Sequence, residues 1–306
     1  MLTRYLGPVL MSFASRHKKS PRIGFIGAGR VGSALAWHCR RLGYGIAGIT
    51  DKRPKQAWLA YGWLKIPYQR LRPRDIAARS DVLFLTVPDG SIEPEFSAVR
   101  RWILPGTIVA HCSGALGTDA FPGAQKQGLE TLALHPVQTF TSHSLAIQNL
   151  PGSHWTLEGS PKGLQFGRRL VRQLKGRALV VRSADRPLYH AMCVIASNFL
   201  NCLLDASETI AENLGLSRAG ARRMLLPLMR AVLDSSERLG PVRALTGPAQ
   251  RGDAETLERH LSALGSRLPE LVPLYRIISL RLLELANRQG LNKRAVRRIR
   301  ESLEKA

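Results

Sequence analysis

Residues 22–32 read RIGFIGAGRVG, and this stretch decides the fold. Ile23, Phe25 and Ile26 supply the apolar run of a short buried strand. Gly27, Gly29 and Gly32 follow with the spacing G-x-G-x-x-G, and Val31, Leu35 and Leu42 then recur at helical intervals. Strand, tight turn and helix in that order give the glycine spacing its meaning. Gly27 permits the turn, Gly29 lets the backbone approach a pyrophosphate, and Gly32 lets the helix pack on the strand. The helix N-terminus offers N–H groups and the positive end of its dipole to phosphates. Ala28, Arg30 and Val31 complete the expected cofactor turn. The plain alternative is a glycine turn in a sheet protein that binds no nucleotide.

Working outward, Ile46–Ile49 is the second strand and ends at Thr50-Asp51-Lys52-Arg53-Pro54. An acid at this point bonds the ribose hydroxyls of NAD, whereas a base accepts the 2′-phosphate of NADP. Asp51 speaks for the first, Lys52 and Arg53 for the second. Two cations outweigh one carboxylate beside a dianion, so NADP(H) is expected over NAD(H). A merely solvated turn is the alternative.

Leu64–Tyr68 is expected as a short strand, and DVLFLTV at 81–87 as a parallel strand covered on both faces. Its end carries Val87 and Pro88. Thr107–Cys112 leads to Ser113 and Gly114, and Leu129–Leu134 leads to His135 and Gln138. Ligands in open α/β sheets bind outside the carboxyl ends of strands, so these residues should share one crevice. A strand at Trp155–Glu158, a helix over 161–174 and a strand at Leu179–Val181 complete a mostly parallel, doubly wound sheet. This dinucleotide-binding domain is assigned residues 21–183.

From 184 to 290 the pattern is helical, giving an all-α C-terminal domain behind the α/β Rossmann domain. Asp185 can cap a helix with Pro187 in its first turn, running to Asn213. Ser217 starts another, with a kink expected at Pro227. Pro241–Asp253 is read as a loop, with Asp253 capping a helix to Leu264 and a last long helix over Leu268–Arg288. His190, Ser197, Asn198, Asn201, Asp205 and Glu208 fall within an arc of roughly 100° on the first helix. Its other faces are apolar and should be buried, so the polar stripe should face a wet cleft.

Composition bounds the rest. The 306 residues include 45 Lys and Arg against 22 Asp and Glu, a formal charge of +23. Nucleic-acid binding is one reading of that charge. The basic residues, however, are scattered and lack aromatic interleaving, which favours a solvated, anion-attracting surface and no nucleic-acid partner. Residues 1–20 carry no acid and form a basic extension, or else the true start is Met11; 291–306 form a basic C-terminal tail. Cys39, Cys112, Cys193 and Cys202 show no C-x-x-C pairing, which points to buried thiols in a reducing compartment, with no disulfide and no metal site. No uninterrupted apolar run reaches membrane-spanning length. A cytoplasmic protein is expected.

GAGRVG, TVPD, HCSGALG, LHPVQTF, ADRPLYHAMCVIASNFL and LTGPAQRGD occur in that order. Together they resemble the Rossmann-like NAD(P)-binding oxidoreductases with a helical C-terminal domain of unassigned function (the DUF2520 type). The wider kin are ketopantoate reductase, pyrroline-5-carboxylate reductase and 6-phosphogluconate dehydrogenase. The resemblance covers about residues 20–288. It implies NAD(P) binding and hydride transfer to a small carboxylate-bearing ketone or imine, on the pattern of 2-dehydropantoate reduction. The small anionic metabolite would meet His135, Gln138, Asn201, Arg251 and Asp253. His190 and Asn198, two turns apart, resemble the Lys and Asn on the corresponding helix of ketopantoate reductase. His190 would then be the proton donor and Asn198 would orient the substrate, with Ser113 beside the nicotinamide. The kin often carry Ser/Asn-Arg where this chain has Asp51-Lys52. Long apolar C-terminal helices call for a partner surface, so a homodimer through the helical domain is expected. Two other readings stand beside the reductase: an NADP-binding regulatory module without turnover, and a basic nucleic-acid-binding protein that reuses the fold.

Overall fold

The computed structural model describes residues 20–304. The basic extension expected at 1–20 lies, except for Ser20, outside them. Short apolar runs become strands β1 (Arg22–Ile26), β2 (Gly45–Thr50), β3 (Val82–Leu85), β4 (Ile108–His111), β5 (Glu130–Pro136), β6 (His154–Gly159) and β7 (Arg177–Val180). Between them run helices α1 (Arg30–Arg41), α2 (Pro54–Leu64), α3 (Pro73–Ala77), α4 (Asp89–Val99), α5 (His143–Asn149) and α6 (Pro161–Gln173). The strands form one sheet in the order β2-β1-β3-β4-β5-β6-β7. All neighbours are parallel except β5 and β6, which are antiparallel.

Helices cover both faces, as a parallel sheet requires. One face packs Ile23, Phe25 and Phe84 against Leu35 of α1, Tyr61 and Leu64 of α2 and Phe166 and Leu170 of α6. Phe25 and Phe84 stack at 5.4 Å, worth about 1 kcal/mol beyond their buried area. The other face packs Leu83, Leu85 and Val109 against Ile76 of α3 and Ile92, Phe96 and Val99 of α4. The strand order reverses at β1, so the crevice between the ends of β1 and β3 is the topological switch point where ligands bind in such sheets.

One expected strand is absent. Leu64 ends α2, and Lys65 closes that helix in the left-handed region at φ 51°. Ala57, Ala60, Tyr61 and Leu64 are the buried positions, an i, i+3, i+4, i+7 pattern that the short apolar run at 64–68 obscured.

The chain divides after Val194 into two compact units, whereas the sequence reading sets its boundary near Ser183. The remaining helices are α7 (Arg186–Asn213), α8 (Arg218–Ala244), α9 (Pro248–Arg251), α10 (Ala254–Arg267), α11 (Val272–Arg288) and α12 (Lys293–Glu304). Asp185 does not stand free as a cap; its carboxylate bonds Arg182 Nε at 2.7 Å. The backbone stays helical through Pro227 and departs instead at Gly240, φ 76°. The segment read as a loop at 241–253 contains the short α9. Within the second unit, Leu257 and Leu261 of α10 pack with Leu283 of α11 and Ile299 and Leu303 of α12. The basic C-terminal segment is thus an amphipathic helix docked by its apolar face.

The apolar sides of α7 are not buried as expected. Leu188 is 77 % exposed, and Met192, Ile195 and Phe199 are exposed with it. Helical periodicity reports that a side is apolar, not that the same chain covers it. Ser183–Asn213 is also, by length and composition alone, apolar enough to cross a membrane. Polar residues interrupt it at every turn, so it escapes a search for an unbroken apolar run.

Candidate functional site

The site begins at the glycine turn. A Cβ on Gly27 would lie 2.3 Å from the Thr86 carbonyl oxygen, and one on Gly32 would lie 2.3 Å from the Gly27 carbonyl. Gly27 also has φ 106°, a left-handed conformation that disfavours any side chain. Protein packing therefore explains these two glycines. It does not explain Gly29, where a Cβ would meet nothing within 4 Å. Gly29 is the N-cap of α1, and no side chain caps that helix end. An uncapped helix N-terminus behind a glycine that faces open space fits a pyrophosphate. Arg30 extends from the first turn and donates to the Phe140 carbonyl at 2.9 Å, joining this turn to the loop after β5.

The end of β2 settles what its three charged residues do locally. Asp51 Oδ2 accepts from the Ala28 N–H at 2.9 Å, and Oδ1 accepts from the Arg53 N–H at 2.9 Å. Both carboxylate oxygens are engaged in shaping the turn. Lys52 bonds Glu95 of α4 at 2.8 Å. Among the described residues the Arg53 side chain pairs only with Asp51, at 3.4 Å, and it is 71 % exposed.

At the end of β3, the Thr86 hydroxyl donates to the Gly27 carbonyl at 2.7 Å, locking the two strand ends together. Val87 and Pro88 follow, with Pro88 as the N-cap of α4. Beyond β4, the Ser113 hydroxyl donates to Asp89 Oδ2 at 2.8 Å and accepts from the Ala115 and Leu116 N–H groups. It caps its own turn.

His111 and His135 close β4 and β5. His111 is fully buried and bonded on both nitrogens by backbone: Nδ1 accepts from the Ser113 N–H at 3.2 Å, and Nε2 donates to the Gly117 carbonyl at 2.9 Å. Burial lowers its pKa. Among the described residues His135 bonds only through Nδ1, 2.6 Å from the Tyr189 hydroxyl. Its Nε2 lies against Gly114, where a Cβ would sit 2.9 Å from it and 2.7 Å from His190 Cδ2. The His135 and His190 rings meet edge to face at 6.1 Å. Two imidazoles therefore converge on Gly114 from β5 and α7. Burial, then the neighbouring His190 and Arg186, push His135 down to about 4, while Asp89 pulls the other way.

Arg186 holds this corner together. It is completely buried. Its Nε donates to Glu158 Oε2 at 2.9 Å, Nη1 to the Ser113 carbonyl at 3.1 Å and Nη2 to the Ala133 carbonyl at 3.3 Å. Glu158 in turn accepts from the Thr118 N–H and hydroxyl. One guanidinium thus ties the ends of β4, β5 and β6 to the first turn of α7. Arg186, Tyr189 and Asp89 escape the sequence reading, because their roles come from partners far along the chain. The one available signal was Arg186 itself, a charge opening a long apolar helix inside ADRPLYH.

The other expected residues have contacts of their own. Gln138 is exposed and accepts from the Thr139 N–H at 2.8 Å. Asn198 lies on α7 two turns after His190, is exposed, and accepts from the Ser197 hydroxyl at 3.0 Å. Asn201 lines a groove of about 410 Å³ in the second unit with Cys202, Asp205 and Thr209. Arg251 is exposed at the end of α9. Asp253 caps α10, accepting from the Thr256 N–H at 3.1 Å and hydroxyl at 2.7 Å. Among the described residues no group of three or more His, Cys, Asp and Glu is placed to hold a metal ion.

Comparison with known proteins agrees with the architecture. Residues 12–136 match the Rossmann-like domain, and residues 153–282 match a domain of unknown function, DUF2520. No curated protein matches the chain. Among solved structures, the chain is similar to a Bacteroides fragilis protein described provisionally as an NADP oxidoreductase: 20 % identity, TM-score 0.71, 87 % of this chain and 99 % of that one. A Thermotoga maritima protein matches at 24 % identity and TM-score 0.66, over 87 % of this chain and 99 % of that one. A Coxiella burnetii pyrroline-5-carboxylate reductase matches at 14 % identity and TM-score 0.55, over 89 % of this chain and all of that one. The chain has the fold of NAD(P)-dependent oxidoreductases, a Rossmann-like domain followed by a helical DUF2520 domain.

Proposed function

From a Rossmann-like domain joined to a DUF2520 domain, we propose that the chain is an NADP(H)-dependent reductase of a small ketone or imine bearing a carboxylate, a 2-dehydropantoate-like keto acid being the first candidate. One observation carries the reading: an open glycine at an uncapped helix end shares a sheet edge with two imidazoles converging on Gly114. The turn Gly27–Gly32 would hold the pyrophosphate, and Val87, Pro88 and Gly114 would flank the dinucleotide along the strand ends. The reduced nicotinamide supplies a hydride. The protein's part is to orient the acceptor and to protonate the atom that receives the electron pair, the role assigned to His190. Ser113 contributes by holding its turn. Asn198, Asn201, Gln138 and Arg251 remain candidates for orienting the anionic substrate; Asp253 serves as a helix cap.

NADP(H) is favoured because the Asp51 carboxylate is already engaged by the Ala28 and Arg53 N–H groups, and the Arg53 side chain, exposed and only 3.4 Å at its nearest from that carboxylate, is the more available cation for a 2′-phosphate. Lys52 contributes less, since Glu95 neutralises it. The protein works as a homodimer through its helical domain; the exposed Leu188, Met192, Ile195 and Phe199 of α7 and Met224, Leu228 and Val232 of α8 support this. Cys39, Cys112, Cys193 and Cys202 form no disulfide among the described residues, which supports a cytoplasmic setting, although only Cys39 is the buried thiol expected from the sequence.

The test is oxidation of NADPH by the purified protein with a panel of 2-keto acids, 2-dehydropantoate included, and cyclic imines. Turnover with one of them is expected. Tight NADPH binding with no turnover on any would favour the regulatory module instead.

A further inference from the structure

His135 and His190 both meet Gly114, yet only His135 has a fixed partner on its far nitrogen. That partner decides what His135 can offer. We propose that Tyr189 is a positioning residue: it donates its hydroxyl proton to Nδ1 of His135 and so fixes the imidazole in the Nε2–H form, a neutral hydrogen-bond donor to the substrate atom that His190 protonates. The proposal rests on the reductase reading above.

The direction of the bond follows from the inventory around it. A half-buried phenol with an acceptor in reach donates to it, and the Nδ1 lone pair stands 2.6 Å away. The side chains of Thr156 and Cys193 are the other polar groups near the Tyr189 hydroxyl. The Thr156 hydroxyl, buried on β6, makes no hydrogen bond of its own and so supplies no acceptor that competes for the phenol proton. Cys193 offers sulfur, a weak acceptor. The strong acceptor is Nδ1. Burial raises the Tyr189 hydroxyl to about 12, which keeps its proton in place at neutral pH.

The surroundings also keep His135 uncharged. Arg186, Tyr189 and His190 face it from α7, His111 from β4 and Asp89 from α4. The buried Arg186 cation outweighs Asp89, whose carboxylate is bonded by Ser113. A neutral imidazole with Nδ1 occupied can do one thing toward Gly114, which is to donate from Nε2.

The chemistry balances without any proton leaving His135. A bound reduced nicotinamide would give up a hydride from one of its C–H bonds and be oxidised, and the carbonyl or imine carbon would gain that C–H bond and be reduced. The π electrons of C=O or C=N move onto oxygen or nitrogen. His190 transfers its proton to that atom and is left neutral. His135 holds the same atom by a hydrogen bond that strengthens as its negative charge grows. The two histidines divide the work, one transferring a proton and one keeping it.

The test is nitrogen NMR of the free protein carrying ring-labelled histidine, with Tyr189→Phe beside the wild type. The expected wild-type signal for His135 has hydrogen on Nε2 and none on Nδ1 between pH 6 and 8. Tyr189→Phe should release a mixture of both forms and lower kcat about tenfold or more, with the affinity for NADPH unchanged. A wild-type His135 carrying its hydrogen on Nδ1 overturns the proposal, even if the variant fails to fold. So does a Tyr189→Phe protein with the wild-type ring form and wild-type kcat. The ring form is read without cofactor or substrate, so failure of the reductase reading is separately visible: the expected ring form with no turnover on any substrate removes the substrate-facing role and leaves the Tyr189 bond standing.

Discussion

The ends of β4 and β5 present the same residue type in adjacent strands, with opposite results. His111 is sealed between two backbone groups, so both of its nitrogens are spent on the fold. His135 is bonded once, by a side chain, and turns its other nitrogen to Gly114 beside His190. A histidine at a strand's carboxyl end is therefore not a site residue by position alone. What separates the two is whether backbone or a second side chain takes the far nitrogen.

This contrast can be broken by replacement. His190→Ala should lower kcat and kcat/KM together by about 10²–10⁴-fold, with NADPH affinity intact, as loss of a general acid requires. His111→Gln should instead cost about 1–3 kcal/mol of stability and leave the kinetic constants of the folded fraction near wild type. Steady-state kinetics beside urea unfolding of both variants checks this. Equal kinetic damage from the two would erase the distinction.

Arg186 supports both strand ends, and its loss should be the largest stability effect. Arg186→Met leaves Glu158 half-buried and unpaired, at a cost of about 3–5 kcal/mol. Adding Glu158→Gln should recover a large part of that cost in the same unfolding assay. A double variant no more stable than the single one would mean that the carboxylate is not what Arg186 balances.

A smaller effect sharpens the comparison through pH. His135 is held near 4 in the fold, against 6.5 for the free side chain. Between those values the unfolded chain binds the proton and the folded one does not. His135's contribution is therefore complete above about pH 6.5 and is lost as pH falls toward 4, about 3 kcal/mol at most for this one group. His135→Gln should flatten the fall in stability over that window. His111 and His38, also held low by burial, leave a residual slope. An unchanged slope would show that His135 is not the buried neutral group described.

The smallest expected effect concerns the cofactor's far end. Arg53→Ala should weaken NADPH about tenfold and NADH little, by the loss of about 1.4 kcal/mol. Lys52→Ala should do less, because that lysine already pairs with Glu95 at the surface. Calorimetry with both dinucleotides decides it, and equal weakening of NADH would remove the preference for NADP(H).

The α/β half was readable because its signals are local. Gly27, Gly29 and Gly32 mark a turn by spacing, and runs such as VLFL at 82–85 mark buried strands by composition. Leu64–Tyr68 misled because a helix end and a short strand look alike over five residues. Arg186 and Tyr189 were out of reach for a different reason. Their meaning lies in carbonyls, a carboxylate and an imidazole from 28 to 73 residues away and 54 residues away. The apolar sides of α7 were legible as apolar, but what covers Met192 and Phe199 is not written in their periodicity.

The proposed chemistry depends on the glycine turn as its nucleotide site, and titration calorimetry with NADPH on wild type and Gly29→Val tests it most directly. A Cβ at Gly29 meets no protein atom within 4 Å, so the variant should fold and unfold like the wild type. It should nevertheless lose NADPH binding, because the added side chain would occupy the place of the pyrophosphate. Wild-type affinity in a folded Gly29→Val protein would contradict the account and place the nucleotide elsewhere.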